Sequence, residues 1–218
     1  MPRTDERGGP RTRARIAAVA TGLFLERGFD AVTVTEVARA AGVSSVTVFK
    51  HFPRKEDLFL DRAVDAVDLL RAAVRERAPG VDVPASLRET AIRLVDAGHP
   101  LSGLDDRSVP FFRTVVASPA LIARAREIAA DCQQALADEL EHDPTFTGDG
   151  RLLAAFFVAG YATVMVESAR RRLAGESVGA VVDDHRARLE RLFAALRSGF
   201  VPGAQTVGAG DAGTSGGR

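Results

Sequence analysis

The sequence predicts an all-α protein with an N-terminal three-helix unit and a larger C-terminal helical bundle. The chain has 218 residues, of which 46% are hydrophobic, with no tryptophan and a single tyrosine. This composition, together with abundant Ala, Leu and Arg, favours helices over sheet. Apolar residues recur at spacings of three and four along most of the chain, and segments containing Gly or Pro separate these runs.

The N-terminal unit is centred on residues 32–52, which have the pattern of two short helices joined by a tight turn. Thr33 and Glu36 form a capping-box motif that predicts the start of the first helix. Gly42 ends that helix because glycine tolerates the positive φ of a sharp turn. Ser44 is a good N-cap for a second helix that starts at Ser45.

The second helix has two different faces. Val48 and Phe52 are four residues apart and are expected to point into the core. The opposite face carries hydroxyls, a cation, a methyl-bearing side chain and an aromatic ring, and its residues are Ser45, Val46, Thr47, Phe49 and Lys50. Such a mixture suits the base edges and phosphates of a DNA major groove. The alternative is a helical hairpin that only builds an all-α core.

The charge distribution supports contact with DNA at one end of the chain. The formal net charge is zero. Residues 1–55 nevertheless contain ten Lys or Arg and five Asp or Glu, so they carry +5, and the remainder carries −5. A basic segment joined to an acidic one is typical of a protein that touches a polyanion with one part only.

Residues 33–58, TVTEVARAAGVSSVTVFKHFPRKEDL, resemble the signature of TetR-family transcriptional regulators. The resemblance implies phosphate contacts from Thr33, Lys55 and the aromatic residue at position 49, and base contacts from positions 45, 46, 47 and 50. Phe49 stands where the family usually has tyrosine, so one hydroxyl is absent. The full set of expected DNA-binding residues is Thr33, Thr35, Ser44, Ser45, Val46, Thr47, Phe49, Lys50, His51, Lys55, Arg11 and Arg13.

The predicted organisation is a disordered arm at residues 1–10, a helix-turn-helix domain at 11–54, a ligand-binding and dimerisation domain at 55–200, and a disordered tail at 201–218. The first helix is expected at about 13–27. Arg11, Arg13 and Arg15 form either a basic arm that reaches DNA or a solvated helix start. A fourth helix, at about 55–77, is expected to extend roughly 30 Å and to link the two domains.

Two late helices are expected to form the dimer interface. Residues 152–166 carry no charge, so they must be covered on all sides, and fifteen residues are too few to span a membrane. The last helix, at about 181–200, has an apolar seam suited to helix pairing. TetR-like proteins dimerise through the corresponding helices, and the interface residues expected here are Met165, His185, Leu189, Leu192, Phe193 and Leu196.

The resemblance also implies an effector pocket within the bundle. The expected lining residues are aromatic side chains with two polar partners, namely His99, Phe111, Phe112, Phe156, Phe157 and Tyr161. Part of the bundle is diffusely similar to a TetR subgroup associated with acyl-CoA-like or other amphiphilic acyl ligands.

The sequence does not suggest an enzyme. The four histidines are scattered over different elements, and Glu139 with His142 supplies only one of the two E-x-x-H motifs that a di-iron bundle needs. Cys132 lies on an apolar stripe and is interpreted as a core residue, with a redox sensor as the alternative. No cofactor, metal or membrane is expected, and the predicted location is the cytoplasm.

The hypothesis is a homodimeric transcriptional regulator that binds a near-palindromic DNA operator and acts as a repressor, the more frequent mode in the TetR family. A small hydrophobic or amphiphilic effector is expected to release it from the operator. Two alternatives stay open. One is a helical DNA-binding protein without an effector, and the other is a helical ligand-storage protein or enzyme.

Overall fold

The computed structural model describes residues 9–105 and 108–200, and this part of the chain is all-α, as predicted. It contains nine α-helices and no strand. The helices are α1 (Gly9–Arg27), α2 (Val34–Ala40), α3 (Ser45–His51), α4 (Ala63–Arg75), α5 (Val83–Asp96), α6 (Ser108–Ala117), α7 (Pro119–Glu141), α8 (Gly150–Leu173) and α9 (Val178–Phe200). The predicted tail at 201–218 and residues 1–8 of the predicted arm lie outside the described residues, whereas Gly9 and Pro10 already belong to α1.

The helices α1, α2 and α3 pack around a set of buried apolar side chains that we call the N-terminal cluster. Val48 and Phe52 are fully buried in it, as the sequence predicts, and Leu58 and Phe59 join it from the segment that follows. The cluster includes Ile16, Ala20, Phe24, Phe29, Val32, Val37, Val48, Phe52, Leu58, Phe59 and Leu121. Because α2 and α3 have only seven residues each, they depend on this packing for stability.

The expected fourth helix at 55–77 is wrong in its first part, because the chain turns twice before the helix begins. Glu56–Leu58 forms a short 3₁₀ helix, and α4 starts only at Ala63. Leu58 and Phe59 are both buried in the N-terminal cluster, whereas Val74 of α4 is buried in the bundle. The break therefore lies where the buried side chains change from the N-terminal cluster to the bundle.

The helices α4 to α9 form the bundle, whose buried core we call the bundle cluster. The helix α8 packs against α6, α7 and α9. At the crossing of α8 and α9 a Cβ built on Gly160 would lie 2.4 Å from a methyl carbon of Leu192. Glycine at this position therefore allows the two helices to approach closely.

The helix α8 is longer than its uncharged run. It has 24 residues, and its most apolar window has a mean hydropathy of 1.7, so by length and composition alone it is able to cross a membrane. This corrects the expectation that it is too short. Its buried residues, among them Leu153, Ala154 and Phe157, pack into the bundle cluster as those of a core helix do.

Residues of α6 and α7 connect the bundle to the N-terminal unit. Phe111 of α6 stacks on Phe59 with ring centroids 4.9 Å apart, and Leu121 of α7 is fully buried in the N-terminal cluster. Arg124 of α7 binds Asp57 at 2.8 Å. The N-terminal unit and the bundle therefore share both apolar and ionic contacts.

Candidate nucleic-acid interface

The turn between α2 and α3 fixes the direction of α3. Gly42 has φ of 65°, in the left-handed region, and so takes the conformation for which a glycine was predicted. The Ser44 hydroxyl accepts a hydrogen bond from the Thr47 backbone N–H at 3.1 Å, and it lies 2.9 Å from the Thr47 hydroxyl. The cap therefore ties the start of α3 to its own first turn.

The outward face of α3 presents apolar and cationic side chains to solvent. Val46 is 78% exposed and Phe49 is 51% exposed, and Lys50 is also exposed. Ser45 and Thr47 are half-buried at the edge of this face. Since Val48 and Phe52 anchor the opposite side, α3 is held rigidly while its outward face is accessible to a ligand.

The capping box at the start of α2 is present as predicted. The Thr33 hydroxyl accepts from the Glu36 backbone N–H at 3.2 Å, and the Thr33 backbone N–H donates to the Glu36 carboxylate at 2.8 Å. The backbone hydrogen bond from Thr33, followed by the side chain of Arg27, lowers the pKa of Glu36 to about 2. The carboxylate therefore stays ionised and caps α2 throughout the physiological pH range.

Arg39 is a candidate that the sequence analysis did not include. It lies four residues after Thr35 on α2, and both side chains are exposed, so they share a face. In the part of the chain that the structure describes, Arg39 forms no ion pair. The signal that identifies it is its spacing from Thr35, a residue that the sequence analysis had included.

Two cations that were expected at DNA make internal contacts instead. Lys55 donates from its ammonium to the Phe29 carbonyl at 2.7 Å, and this nitrogen lies 4.3 Å from the centroid of the Phe29 ring. Arg13 donates to the carbonyls of His51 and Asp61. Of the two alternatives left open for this segment, a basic arm or a solvated helix start, Arg13 follows neither fully, because it lies within α1 and its guanidinium is directed inward.

The remaining expected contacts lie near the outward face of α3 or along α1. Arg11 is exposed in the first turn of α1, and His51 is half-buried at the end of α3. Arg11 and Arg15 are cations that α1 exposes to solvent near its start.

Comparison with known proteins identifies the family of this helix-turn-helix unit. Residues 16–61 match the model described as bacterial regulatory proteins, tetR family. This part of the chain is therefore similar to the N-terminal region of tetR-family regulators. The match covers α1 from Ile16 onward, α2, α3 and most of the segment before α4.

Two curated relatives and one solved structure illustrate the similarity. The chain is 34% identical over 102 residues to the HTH-type transcriptional repressor KstR2 of Rhodococcus jostii, covering 45% of this chain and 50% of the relative. It is 26% identical over 172 residues to the transcriptional activator FasR of Mycolicibacterium smegmatis, covering 78% of this chain and 73% of the relative. Native NalD of Pseudomonas aeruginosa, titled the secondary repressor of the MexAB-OprM multidrug efflux pump, has the same fold, with a TM-score of 0.56 and 21% identity. That comparison covers 85% of this chain and 96% of NalD.

The similarity to the Rhodococcus repressor spans about half of that relative's length. The relatives reported above are named as transcriptional regulators, which agrees with the prediction that this chain is not an enzyme. Among the described residues, moreover, no group of three or more His, Cys, Asp or Glu side chains is placed to hold a metal ion. Cys132 is buried, and burial raises the pKa of its thiol, as expected for a core residue.

The residues expected to line an effector pocket are distributed differently from the prediction. Phe157 is buried in the bundle cluster, and Tyr161 packs against it and donates its hydroxyl to the Leu101 carbonyl at 3.1 Å. Burial raises the pKa of Tyr161 to about 12. Phe156 is 56% exposed on the other side of α8, so its assignment to an interior pocket is wrong.

The other three expected pocket residues lie toward α6 and the loop before it. The His99 ring accepts from the Leu101 N–H at 3.2 Å and so caps a 3₁₀ helix, Pro100–Ser102. Phe112 and Phe111 contact each other, but Phe111 also stacks on Phe59 of the N-terminal cluster. A cleft of about 540 Å³ between α4 and α7 and one of about 460 Å³ between α5 and α9 are lined by other described residues.

The residues expected at the dimer interface face the interior of their own chain. His185, Leu189, Phe193 and Leu196 are all buried in the single chain, so their assignment to an interface between copies is wrong. Leu192 packs against Gly160. The methyl end of Met165 lies beside Gly103, and it too points inward.

A different face of α8 is open to solvent. Leu152 is 46% exposed and Val166 is 50% exposed. Ala159 and Thr163 lie between them and are exposed as well. These four residues recur at helical spacing and form one stripe, which we call the outer stripe of α8.

Proposed function

We propose that this chain is a DNA-binding transcriptional regulator that reads an operator with the outward face of α3. The observation that carries the proposal is the combination of a rigid inner face, with Val48 and Phe52 buried, and an outer face on which Val46, Phe49 and Lys50 are exposed. A helix of this kind enters a major groove with its anchored side away from the DNA. The named activities of the relatives support the same proposal. The proposed function also implies a cytoplasmic location for the chain.

The proposed contacts divide into two groups. Residues on α3 that face outward are assigned to base edges, and they are Ser45, Val46, Thr47 and Lys50. Residues at the edges of the helix-turn-helix are assigned to phosphates, and they are Thr33, Thr35, Arg39, Ser44, His51 and Arg11. Phe49, which has no hydroxyl, is assigned apolar contact with the DNA backbone only. Arg13 and Lys55 are left out of both groups because their charged groups are bound inside the unit.

We further propose that two copies pair through the outer stripe of α8. The stripe is the exposed apolar surface that runs along α8, and α9 lies beside it with exposed Ala187, Ala194 and Ala195, whose small side chains allow close packing. A two-fold dimer would place two copies of α3 about one duplex turn apart, so the operator would be a near-palindrome.

Repression is the proposed mode of action, because the Rhodococcus relative is named a repressor. The Mycolicibacterium relative is named an activator, which supports activation as the second candidate. A reporter gene behind the operator separates the two. Repression predicts higher expression when this chain is deleted, and activation predicts lower expression.

Control by a small effector is proposed at the interior surface formed by Tyr161, Phe157, Phe112 and His99. This surface combines aromatic rings with two polar groups, which suits a hydrophobic or amphiphilic molecule such as an acyl-CoA-like ester. The Phe157 and Tyr161 rings are packed against each other and the Tyr161 hydroxyl is already bonded, so an effector must displace these contacts. A DNA binder without an effector is the alternative, and it predicts that no acyl-CoA ester changes operator affinity.

Salt-dependent binding measurements on duplex DNA test the DNA-binding proposal. Lys50→Ala removes an exposed cation from the outward face, so it is expected to weaken binding and to lower the slope of log K against log salt by at most about one. Arg151→Ala is the matched control, because Arg151 pairs with Glu141 at the end of α7 that is far from α3. Equal losses from both variants, or an absence of salt-dependent binding by the unmodified protein, would contradict the proposal.

A further inference from the structure

Arg13 makes three contacts with the end of α3 and the turn beyond it. Its Nη1 donates to the His51 carbonyl at 2.6 Å, and its Nη2 donates to the Asp61 carbonyl at 3.3 Å. Its guanidinium carbon lies 4.1 Å from the centroid of the Phe52 ring. One side chain of α1 thus joins the last residue of α3, the buried residue that follows it, and the turn before α4.

The end of α3 is a place where such a contact matters. A helix leaves its last carbonyls without intrahelical partners, and α3 ends at His51 with Phe52 in an extended conformation. The guanidinium supplies a charged donor to one of these carbonyls, and positive charge at a helix C-terminus is favourable. The contact with Phe52 keeps that ring within the N-terminal cluster.

The same contacts leave Arg13 poorly placed to bind phosphate. Both terminal nitrogens of the guanidinium are engaged with carbonyls, and one face of the group lies over an aromatic ring. Arg11 and Arg15 lie two residues away on either side and are exposed, and within the described residues neither has an ion pair. The three arginines are equivalent in the sequence pattern, and only the fold distinguishes them.

We propose that Arg13 is a positioning residue, which holds the C-terminal end of α3 at the angle needed to read DNA and does not itself contact DNA. The inference rests on the proposed function, because it assigns a role in DNA reading. It requires the planar, two-pronged guanidinium and not merely a positive charge. Lysine has one nitrogen and no planar group to stack on a ring, so it does not reproduce the contacts that Arg13 makes through two separate nitrogens and one face.

The test uses the full chain with Arg13→Lys and Arg13→Gln, and with Arg11→Gln and Arg15→Gln as matched controls on the same helix. Binding to a selected operator and to unrelated duplex DNA is measured across a range of salt concentrations. Arg13→Lys is expected to lower the ratio of operator affinity to unrelated-DNA affinity by about ten-fold, with an unchanged salt slope. Operator affinity that matches the unmodified protein in Arg13→Lys would overturn the proposal. So would a fall of about one in the salt slope of Arg13→Gln with the affinity ratio unchanged, which is the signature of a phosphate contact.

Amide hydrogen exchange without DNA separates this inference from the proposed function. Both Arg13 variants are expected to exchange faster at the amides of residues 48–52, while those of α8 remain protected and so report a folded bundle. Unchanged exchange at residues 48–52 would overturn the positioning role even if DNA binding were lost. If the unmodified protein binds no DNA, the proposed function fails, and the exchange data still decide whether Arg13 holds α3. Arg11→Gln and Arg15→Gln are expected to leave exchange at α3 unchanged.

Discussion

Lys55 shows how a single residue can have a role that its sequence motif does not reveal. Its charged nitrogen lies 4.3 Å from the centroid of the Phe29 ring and 5.7 Å from that of Phe24, and it donates to the Phe29 carbonyl. This carbonyl belongs to the segment between α1 and α2. Lys55 therefore joins the turn after α3 to the segment before α2.

We expect Lys55→Met to lower the free energy of unfolding by about 1–2 kcal/mol, because it removes a charge-assisted hydrogen bond and a cation–π contact while the aliphatic stem is kept. Denaturant titration measures this change. The salt slope of DNA binding is expected to stay the same. The exposed Lys50→Met is the control, and it is expected to leave stability unchanged. A stable Lys55→Met protein with a salt slope lower by one would show instead that Lys55 contacts phosphate.

The residues that sequence analysis places correctly are those whose partners are near in the chain. Thr33 and Glu36 form the predicted capping box, and Ser44 caps α3 as expected. The contacts of Arg13 and Lys55 join residues that are 38 and 26 positions apart. Periodicity and capping motifs carry no information about such distant pairs, so these two cations were assigned to DNA.

At the scale of the helix, the turn that joins α2 to α3 depends on one backbone conformation. A Cβ at Gly42 would meet no atom within 4 Å, but φ is 65° there. Gly42→Ala is therefore expected to destabilise the protein by about 1 kcal/mol through backbone strain alone.

Gly22→Ala is the matched control, since Gly22 lies in α1 and a Cβ there also meets no atom within 4 Å. Alanine is the better helix former, so this substitution is expected to stabilise the protein by about 1 kcal/mol. Thermal or denaturant unfolding of both variants checks the pair. The same sign for the two substitutions would contradict the assigned turn conformation.

The α8 and α9 pair contains a buried histidine that makes stability depend on pH. His185 is fully buried, and its Nδ1 lies 2.8 Å from the Ser168 hydroxyl. Burial, together with the nearby charge of Arg186, lowers the pKa of His185 to about 4 from its ordinary value of 6.5. The unfolded chain therefore takes up a proton at a higher pH than the folded chain does.

The pKa of His185 is lower in the folded chain than in the unfolded chain, so neutral His185 is compatible with the fold at no cost above pH 6.5. Below that pH the unfolded chain is favoured progressively more, and this loss of stability continues as the pH falls toward 4. The free energy of unfolding is expected to fall by about 2 kcal/mol between pH 7 and pH 5. His185→Gln should flatten this dependence, whereas His142→Gln, at an exposed position, should not. Denaturant titrations at fixed protein concentration provide the measurement, and an equally steep dependence in His185→Gln would contradict the assignment.

Element boundaries follow closely from the sequence except where tertiary packing decides them. Pro110 lies in the first turn of α6, and Pro119 is the first residue of α7. The break before α4 was missed, because it depends on Leu58 and Phe59 being buried together in the N-terminal cluster. Apolar residues at positions 58 and 59 also fit a continuous helix, so the break cannot be predicted without knowing what these side chains pack against.

For the molecule as a whole, the sequence identifies which faces are apolar but not what covers them. The seam of α9 was assigned to a second copy, yet Leu189, Phe193 and Leu196 are covered by the bundle of the same chain. The surface proposed for the second copy is the outer stripe of α8. Apolar residues at helical spacing give the same pattern whether a second copy or the same chain covers them, so the sequence cannot distinguish these two arrangements.

The proposed pairing predicts that Val166→Arg weakens or abolishes the dimer, because a charge in the outer stripe of α8 would be buried without a partner. Sedimentation velocity over a range of protein concentrations measures the effect. Val64→Arg is the control, since Val64 is 59% exposed on α4 and lies outside the stripe. A Val166→Arg protein that remains as dimeric as the unmodified one would exclude the outer stripe of α8 as the interface.

The contacts between the N-terminal unit and the bundle link the helix-turn-helix to the part of the chain where an effector is proposed to bind. Phe59 stacks on Phe111, Arg124 binds Asp57, and Arg54 binds Glu127 at 2.5 Å. A shift of α6 or α7 is therefore expected to displace the turn after α3 as well. An effector changes operator affinity only by as much as it binds one conformation of the protein more tightly than the other. A 100-fold change in operator affinity requires a coupling free energy of about 2.7 kcal/mol.

Selection of bound sequences from random duplex DNA, using the unmodified protein and Val46→Ala, tests the central claim most directly. The proposed role of α3 predicts enrichment of an inverted repeat whose half-sites lie about one duplex turn apart. Val46→Ala is expected to change the preferred base at one position within each half-site and to leave the spacing unchanged. Recovery of no common sequence, or of the same half-site by both proteins, would contradict the claim that the outward face of α3 reads DNA.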